Sequence, residues 1–246
     1  MCSGWYTRKR VCDNVSRVTE PDPRRDPKAL DQLFNSLLRT EDDALTATRE
    51  SADAAGMPAI EVSAQHGKLL YLLASAARAT RVLEIGTLAG YSTINLARAV
   101  GPSGRVVTLE YEPAHAEVAH RNFARAGVDA RVEVIVGAAL ETLPGLAKRG
   151  EIFDLSFIDA DKENNVAYVE WAIKLSHPGS IIVVDNIARF GRVLDPAADD
   201  HQARAVRDML AMMGEHPRLD TAAIQTVGTK GWDGFAVALV KEPDLN

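Results

Sequence analysis

The sequence predicts an α/β fold in which a parallel sheet has helices packed on both of its faces. From residue 81 to residue 186, short strand-like runs alternate with longer helical runs, an alternation typical of parallel sheets. The runs VLEI, VVTL and IIVV are apolar almost throughout, which indicates strands buried on both sides. With 246 residues, of which 46% are hydrophobic, the chain is long enough for one large core.

The first third of the chain predicts helices in front of the sheet. Residues 1–27 are polar and contain three prolines, so we expect a poorly ordered arm. A helical pattern runs from Lys28 to Gly56, and a second one, AQHGKLLYLLASAAR, follows shortly after it. We therefore expect a single domain over residues 28–246, whose residues 28–80 form a helical annex.

Strands and helices alternate along the rest of the chain, and glycine or proline closes most of the helices. The predicted strands are RVLEIG (81–86), GRVVTLE (104–110), RVEVIVG (131–137), IFDLSFID (152–159) and SIIVVDN (180–186), followed by strand-like runs near 218–227 and 234–240. The predicted helices are YSTINLARAV (91–100), PAHAEVAHRNFARAG (113–127), a short one ending near 149, NNVAYVEWAIKLS (164–176) and one around 199–214. The segment His177-Pro178-Gly179 is expected to separate the fourth of these helices from the fifth strand.

Composition and charge argue against several classes of protein. The net charge of -6 argues against general affinity for the nucleic-acid backbone, which requires clustered Lys and Arg. The two cysteines, Cys2 and Cys12, are too few for a disulfide framework or a zinc cluster. No apolar run approaches the roughly 18 residues of a membrane span, and no apolar region follows the basic N-terminus as in a secretory signal. We therefore expect a cytoplasmic protein with no membrane or nucleic-acid partner.

Residues able to bind a ligand follow each of the first five predicted strands. In parallel α/β sheets ligands bind outside the carboxyl ends of the strands, so these residues are expected at one edge of the sheet. The loop after the first strand has the spacing Gly86-x-x-x-Gly90, which differs from the G-x-G-x-x-G of dinucleotide-binding folds. Glu110, at the end of the second strand, is placed to bind ribose hydroxyls. Together these observations favour a nucleoside ligand without a pyrophosphate, such as S-adenosylmethionine.

The stretch FDLSFIDADKENN ends an apolar strand with three acids and a lysine. One interpretation is a solvated loop. The other is a cation site, because carboxylate and amide oxygens from Asp159, Asp185 and Asn186 suit Mg²⁺ or Ca²⁺. Lys162 is then placed to take a proton from a hydroxyl group near the cation. Each of these residues alone has an ordinary structural role, and only their combination favours the cation site.

Four motifs, VLEIGTLAGYS, VTLE, FIDADK and VVDN, occur in this order and together resemble the metal-dependent small-molecule O-methyltransferases. This group contains the caffeoyl-CoA and catechol O-methyltransferases, and the resemblance runs from about residue 60 to residue 240. It implies a class I methyltransferase fold, which is Rossmann-like, with a seven-stranded, mostly parallel sheet whose last strand is antiparallel. It also implies S-adenosylmethionine and Mg²⁺ (or Ca²⁺ or Mn²⁺) as cofactors, a phenolic acceptor with two adjacent hydroxyls, and a homodimer.

The resemblance further implies roles for individual residues. For the cofactor it implies Glu84 and Gly86 in the strand motif, Gly90 and Ser92 around the methionine part, Glu110 at the ribose, Tyr111 and Ala139 near the adenine, and Val62 and Asp159 beside the cofactor. For the cation it implies Asp159, Asp185 and Asn186, and for catalysis Lys162 as the base together with Asp159. One departure concerns the acceptor pocket, because Asn165 stands where relatives often carry an aromatic residue.

Three alternatives stay open at the level of sequence. A nicotinamide-dependent dehydrogenase is disfavoured by the missing G-x-G-x-x-G and by the Asp185-Asn186 pair. A nucleic-acid methyltransferase is disfavoured because neither a basic face nor a motif such as N-P-P-Y is visible. A non-catalytic protein that binds S-adenosylmethionine is disfavoured by Lys162 and the three candidate metal ligands. Of the six histidines, we expect only His66 near the entrance to the cofactor site.

Overall fold

The computed structural model describes residues 26–242, and within this range the chain forms eight α-helices and seven β-strands. The helices are α1 (Pro27–Leu38), α2 (Asp43–Ala54), α3 (Ala64–Ala76), α4 (Tyr91–Ala99), α5 (Pro113–Ala126), α6 (Ala139–Lys148), α7 (Asn165–Lys174) and α8 (His201–Glu215). The strands are β1 (Arg81–Ile85), β2 (Arg105–Glu110), β3 (Val132–Val136), β4 (Phe153–Ile158), β5 (Ser176–Asp185), β6 (Leu219–Gly228) and β7 (Gly231–Val240). Every strand and helix predicted after residue 80 is present.

The seven strands form one sheet in the order β3-β2-β1-β4-β5-β7-β6. Neighbouring strands among β1–β5 run parallel, and β7 is antiparallel to both β5 and β6. This confirms the predicted seven-stranded, mostly parallel sheet with an antiparallel last strand. Because β1 lies between β2 and β4, the strand order reverses there, and this reversal opens a crevice outside the carboxyl ends of these strands.

Helices pack on both faces of the sheet, as the sequence predicts. Side chains of α6, α7 and α8 form one core with Leu83 and Val107. Side chains of α2, α3, α4 and α5 form the second core, on the other face, with Val82 and Phe157. Because side chains alternate along a strand, Glu84 points to the second face, toward α4.

The helical pattern predicted from Lys28 to Gly56 was wrong in one respect, since it forms two helices. Arg39, with φ of 48°, ends α1 in a left-handed conformation. Asp42 then begins α2, because its carboxylate accepts a hydrogen bond from the backbone N–H of Leu45. A side chain that caps a new helix in this way competes with continuation of the previous one.

β5 begins earlier than predicted. The segment His177-Pro178-Gly179, expected to precede the strand, is its first and irregular part. The register against β4 shifts between Phe153 and Leu155, and Ser180 spans the irregularity. Its hydroxyl donates to the carbonyl of Phe153 and accepts from the N–H of His177. Proline and glycine are tolerated here because a bulge interrupts the regular ladder of hydrogen bonds.

The N-terminal helices pack around the sheet and its helices: α3 against α4, α2 against α5, and α1 against β6. The arm predicted over residues 1–27, with Cys2 and Cys12, lies almost entirely outside the described residues. The division into an arm and a single domain therefore stays a prediction. Within residues 26–242, no helix combines the length and the apolar character needed to cross a membrane.

Candidate active site

A cavity of about 750 Å³ lies outside the carboxyl ends of β1, β2 and β4, at the reversal of strand order. Nine of the twelve site residues expected from the sequence line this first cavity: Val62, Gly86, Ser92, Glu110, Tyr111, Ala139, Asp159, Lys162 and Asn186. The other three, which do not line it, are Glu84, Gly90 and Asp185. The predicted residues are therefore brought together at one edge of the sheet, as expected for parallel strands.

Gly86 lies where the ends of β1 and β4 approach each other most closely. Its φ is 98°, and a Cβ at this position would overlap the backbone carbonyl oxygen of Asp159. Asp159 in turn donates its N–H to the carbonyl of Ile85. A glycine is required here both by the backbone angle and by the space, and its absence of a side chain leaves the strand ends open to the cavity.

Gly90 caps the N-terminus of α4 with φ of 87°, and a Cβ here would overlap the ring of Phe123 on α5. Its position explains how the loop after β1 turns sharply into the helix. Ser92, one turn into α4, reaches the first cavity. A contact of Gly90 with a cofactor stays a prediction.

Glu84 is fully buried beneath the first cavity, and hydroxyl groups surround its carboxyl group. Ser92 donates to Oε1 at 2.6 Å, and Thr93 and Thr108 donate to Oε2 at 2.5 and 2.7 Å. Burial raises the pKa of Glu84 to about 7, although the three hydrogen bonds oppose the change. Among the residues that line the cavity, Ser92 is the one bonded to Glu84, so a direct contact of Glu84 with a ligand stays a prediction.

Glu110 presents its carboxylate to the first cavity from the end of β2, and backbone groups hold it in place. Oε2 accepts from the N–H groups of Thr87 and Leu88 at 3.1 and 2.7 Å. Oε1 accepts from the N–H of Glu112 at 3.0 Å and lies 3.3 Å from Nδ1 of His115. The loop after β1 and the carboxylate after β2 are thus tied together, which orients Glu110 before any ligand binds.

Lys162 and Asp159, in the turn that follows β4, form an ion pair. Nζ of Lys162 lies 3.0 Å from Oδ1 of Asp159, and the lysine is only 5% exposed. The neighbouring Asp161 points away to other partners, because its carboxylate accepts from the hydroxyl of Tyr168 and the amide of Asn164. The close group of acids in the sequence is therefore divided between the ion pair and a polar cluster at the start of α7.

Asp185 and Asn186 end β5 at the junction of two cavities. A second cavity of about 390 Å³ has Asp185 in its wall, and Asn186 lines both cavities. Burial raises the pKa of Asp185 well above its usual range, and the charge of Asp159 raises it further, while Lys162 opposes the change. Asp159 and Asp185 are thus close enough for their charges to interact, and Asn186 lies next to Asp185 and lines both cavities.

The described part of the chain contains no group of three or more His, Cys, Asp or Glu side chains arranged to hold a metal ion. The predicted set differs in kind from such a group, because it consists of two carboxylates and an amide. Its role in binding a cation therefore stays a prediction, supported by the electrostatics at the junction.

Asp233 is a residue that the sequence analysis did not single out. Its Oδ1 accepts hydrogen bonds from the backbone N–H groups of Ala188 and Arg189, at 2.9 and 3.0 Å. These bonds tie β7 to the loop after Asn186, and Arg189 of this loop lines the first cavity. The only signal in the sequence is the position of Asp233 next to a glycine in the last hairpin.

His66 is closer to the junction than the sequence suggests. Its ring packs against Phe235 with centroids 5.0 Å apart and edge-on against Phe157 at 6.1 Å. Nδ1 lies 3.5 Å from Oδ2 of Asp185. Burial lowers the pKa of His66, although the charges of Asp159 and other acids oppose the change. An approach between residues so distant in sequence has no local signal.

Asn165, the predicted departure from related sequences, is fully buried at the start of α7. Its side-chain amide has no hydrogen-bond partner among the described residues, and it lines neither cavity. The expected effect of Asn165 on the acceptor pocket therefore has no direct contact to support it.

Comparison with known proteins agrees with this geometry. Residues 36–238 match the family described as O-methyltransferase. A protein of Mycobacterium tuberculosis named catechol O-methyltransferase is 61% identical over 220 residues, which cover 89% of this chain and 99% of that protein. Another of the same name, from Niastella koreensis, is 46% identical, with 87% of this chain and 97% of that protein covered.

Solved structures show the same likeness. The O-methyltransferase TomG from Streptomyces achromogenes, in complex with S-adenosylmethionine, has a TM-score of 0.85 and 46% identity, covering 88% of this chain and 97% of that one. The likeness confirms the predicted class I methyltransferase fold and argues against the dehydrogenase alternative. The chain therefore belongs to the O-methyltransferase family, as its four ordered motifs predict.

Proposed function

We propose that this protein transfers a methyl group from S-adenosylmethionine to one hydroxyl of a vicinal dihydroxy aromatic, with the help of a divalent cation. The observation that carries the proposal is the junction of the two cavities at Asp185 and Asn186, where the charge of Asp159 acts on Asp185 and Lys162 pairs with Asp159. The names of the relatives from Mycobacterium tuberculosis and Niastella koreensis support a catechol-type acceptor. The complex of the Streptomyces protein supports the cofactor.

The first cavity suits S-adenosylmethionine in size and in its polar groups. Its volume is within the range of roughly 300–1,000 Å³ that small-molecule sites occupy. Glu110, already oriented by backbone N–H groups, would accept hydrogen bonds from the ribose hydroxyls. Tyr111 and Ala139 would lie at the adenine, Ser92 and Gly90 at the methionine part, and Val62 would pack beside the cofactor.

The junction suits a hard divalent cation. Asp185 is 6% exposed, its Oδ1 accepts only from the backbone N–H of Asn186, and Asp159 adds further negative charge. A bound cation would compensate this buried charge and would keep Asp185 in its ionised form. Oxygen donors favour Mg²⁺, with Ca²⁺ or Mn²⁺ as alternatives. When bound, the cation would stabilise the deprotonated form of the acceptor hydroxyl.

Lys162 is the group that we propose to move the proton. Its Nζ, after releasing to solvent the proton that it carries in the ion pair, would accept the proton of the acceptor hydroxyl, and Asp159, 3.0 Å away, would stabilise the ammonium that forms again. The deprotonated oxygen would attack the methyl carbon of S-adenosylmethionine as the bond from this carbon to the sulfonium sulfur breaks, and S-adenosylhomocysteine would be released.

The proposal includes a homodimer, as the family resemblance implies. α1 supports it, because none of its side chains is buried although it carries large apolar residues. Five of these are between 41% and 69% exposed: Leu30, Leu33, Phe34, Leu37 and Leu38. Such a face on a soluble protein typically contacts a partner. Light scattering of the purified protein would give the mass of a dimer, and the mass of a monomer would contradict this part of the proposal. Cytoplasmic location stays a prediction.

The test is methyl transfer to a panel of catechols, measured with Mg²⁺, with EDTA, and with Mg²⁺ restored after EDTA. We expect product that disappears with EDTA and returns with the metal. Asp185→Asn should lose most of the methyl transfer even with Mg²⁺ present, while Glu163→Gln, which replaces an exposed acid beside Lys162, should retain Mg²⁺-dependent activity. Product that survives EDTA would contradict the cation site. Binding of S-adenosylhomocysteine without turnover of any catechol would favour the non-catalytic alternative.

A further inference from the structure

His66 lies beside the proposed cation site, although it belongs to neither the cofactor motif nor the acidic motif of the sequence. It lies on α3, its ring is held between Phe157 and Phe235, and its Nδ1 lies 3.5 Å from Oδ2 of Asp185. His66 and Asp185 also line the same second cavity. The imidazole is therefore a neighbour of a candidate metal ligand, on the side opposite the first cavity.

The surroundings of the ring select one arrangement of its proton. The ring packs against Phe157 and Phe235, and Nδ1 is the nitrogen that faces Asp185. With the proton on Nδ1, a donor faces the carboxylate of Asp185. When Asp185 is ionised, as it would be with a cation bound, a proton on Nε2 would leave the lone pair of Nδ1 facing the carboxylate, which is repulsive. The arrangement with Nδ1–H toward Asp185 is therefore the stable one.

Packing alone does not explain a histidine at this position. Nε2 of His66 is buried and has no hydrogen-bond partner among the described residues. An unpaired buried polar atom is destabilising, and a phenylalanine of similar shape would fill the same aromatic environment without it. Unsatisfied groups of this kind are found where function requires them. Nδ1, in contrast, has the carboxylate of Asp185 as a polar neighbour.

We propose that His66 is a positioning residue for Asp185, whose carboxylate it orients toward the cation through Nδ1–H. The inference rests on the proposed cation site. Carboxylates that bind metals are themselves usually hydrogen-bonded, and loss of such a partner typically weakens metal binding about 10- to 100-fold. His66 would supply this second contact to Asp185, in addition to the backbone N–H of Asn186.

Three substitutions distinguish the effect of each ring nitrogen from the effect of packing of the ring. His66→Asn places an amide nitrogen near the position of Nδ1. His66→Gln places an amide nitrogen near the position of Nε2. His66→Phe keeps the ring but has neither nitrogen. A role through Nδ1 therefore predicts rescue by asparagine and not by glutamine, whereas a role in packing predicts the best result from phenylalanine.

The experiment measures Mn²⁺ binding to the metal-free protein, from the electron paramagnetic resonance of free Mn²⁺, together with urea unfolding without metal. We expect His66→Asn to bind within about 3-fold of the wild type, and His66→Gln and His66→Phe to bind about 10-fold or more weakly. We also expect His66→Phe to unfold at an equal or higher urea concentration than the wild type, since it removes the unpaired Nε2.

Two results would overturn the inference, and they are distinguishable. Equal Mn²⁺ affinity of the wild type, His66→Asn and His66→Gln would exclude a positioning role and leave the proposed cation site intact. Absence of Mn²⁺ binding by the wild type would remove the cation site itself and the inference with it. If His66→Phe does not fold, the asparagine and glutamine variants alone decide the question.

Discussion

Replacement of the buried Glu84 by glutamine should change how the stability of the protein depends on pH. The carboxyl group is fully buried, and it is surrounded by the hydroxyls of Ser92, Thr93 and Thr108. Burial raises its pKa from the ordinary value of 4.5 to about 7. The folded protein therefore binds this proton more tightly than the unfolded chain does. Its contribution to stability is complete below the unfolded pKa and is lost as the pH rises through the folded pKa.

The size of the effect follows from the two pKa values. A pKa raised from 4.5 to about 7 corresponds to roughly 3 kcal/mol of stability that is lost on ionisation. Between about pH 5 and pH 8, the free energy of unfolding should fall by roughly 2 to 3 kcal/mol because of Glu84 alone. Glutamine has a similar shape and does not ionise, so the Glu84→Gln variant should lack this fall.

The assay is urea unfolding of the wild type and the variant at several pH values between about 5 and 8, with the slope of each transition compared to confirm the same unfolding reaction. Glu117→Gln, at an exposed position of α5, controls for the loss of one carboxylate from the net charge. We expect the wild type to lose stability relative to Glu84→Gln as the pH rises, and the wild type and the control variant to change in parallel.

A parallel change of the wild type and Glu84→Gln would refute the reasoning. It would mean that the three hydroxyls stabilise an ionised carboxylate well enough to cancel the effect of burial. A loss of stability in Glu84→Gln that is equal at all pH values would have the same meaning, because it would reflect the hydrogen bonds rather than the proton.

The remaining predictions concern the strand ends, the base and one surface ion pair. Gly86→Ala should destabilise the protein by at least about 2 kcal/mol in urea unfolding, because its Cβ would overlap the carbonyl oxygen of Asp159, just after β4. Gly127→Ala, with positive φ but open space, should cost about 1 kcal/mol, and equal losses would contradict the overlap. Lys162→Met should lower the rate of methyl transfer by about 100-fold or more, while the affinity for S-adenosylhomocysteine should change by less than about 3-fold. An equal loss of rate and affinity would indicate a structural role of Lys162. A hydrogen bond to Asp154 raises the pKa of His177, so this half-exposed pair should stabilise the protein at low pH and lose its effect as the pH rises through the folded pKa. Because solvent screens the pair, its effect on the thermal midpoint should be small. The midpoint of His177→Gln should lie below that of the wild type at about pH 5.5, and the difference should shrink by about a degree at about pH 8.5. A difference that grows with pH would refute the assignment.

Most of the fold could be predicted because its signals are local. Apolar strand segments such as the one ending at Ile158, and the glycines and prolines that close the helices, depend on residues close in sequence. The two wrong predictions concern where an element begins or ends, because hydrogen bonds of single side chains outweighed the local pattern there. Asp42 caps a new helix within a continuous helical pattern, and Ser180 supports a bulge through a segment that resembles a stop.

The candidate site was predicted only in part. Glu110 ends β2, and Asp159 and Lys162 follow β4. Both strands are parallel neighbours of β1, so the meeting of these residues at one edge follows from the alternation of strands and helices. The position of Glu84 beneath the cavity depends on which face of β1 is turned toward α4. The hydrogen bonds that Asp233 accepts from the loop after Asn186 depend on the pairing of β7 with β5. Neither has a signal within its own segment.

The sequence by itself determined the order of strands and helices, the glycine at the end of β1 and the family of the protein. These depend on patterns repeated over a few residues and on motifs whose order along the chain is visible directly. Only the tertiary structure decided that His66 of α3 approaches Asp185, that Glu84 is enclosed by hydroxyls and that Asn186 separates two cavities. The physical reason is that such contacts arise from the packing of whole helices against the sheet, and their distances are set by side chains far apart in sequence.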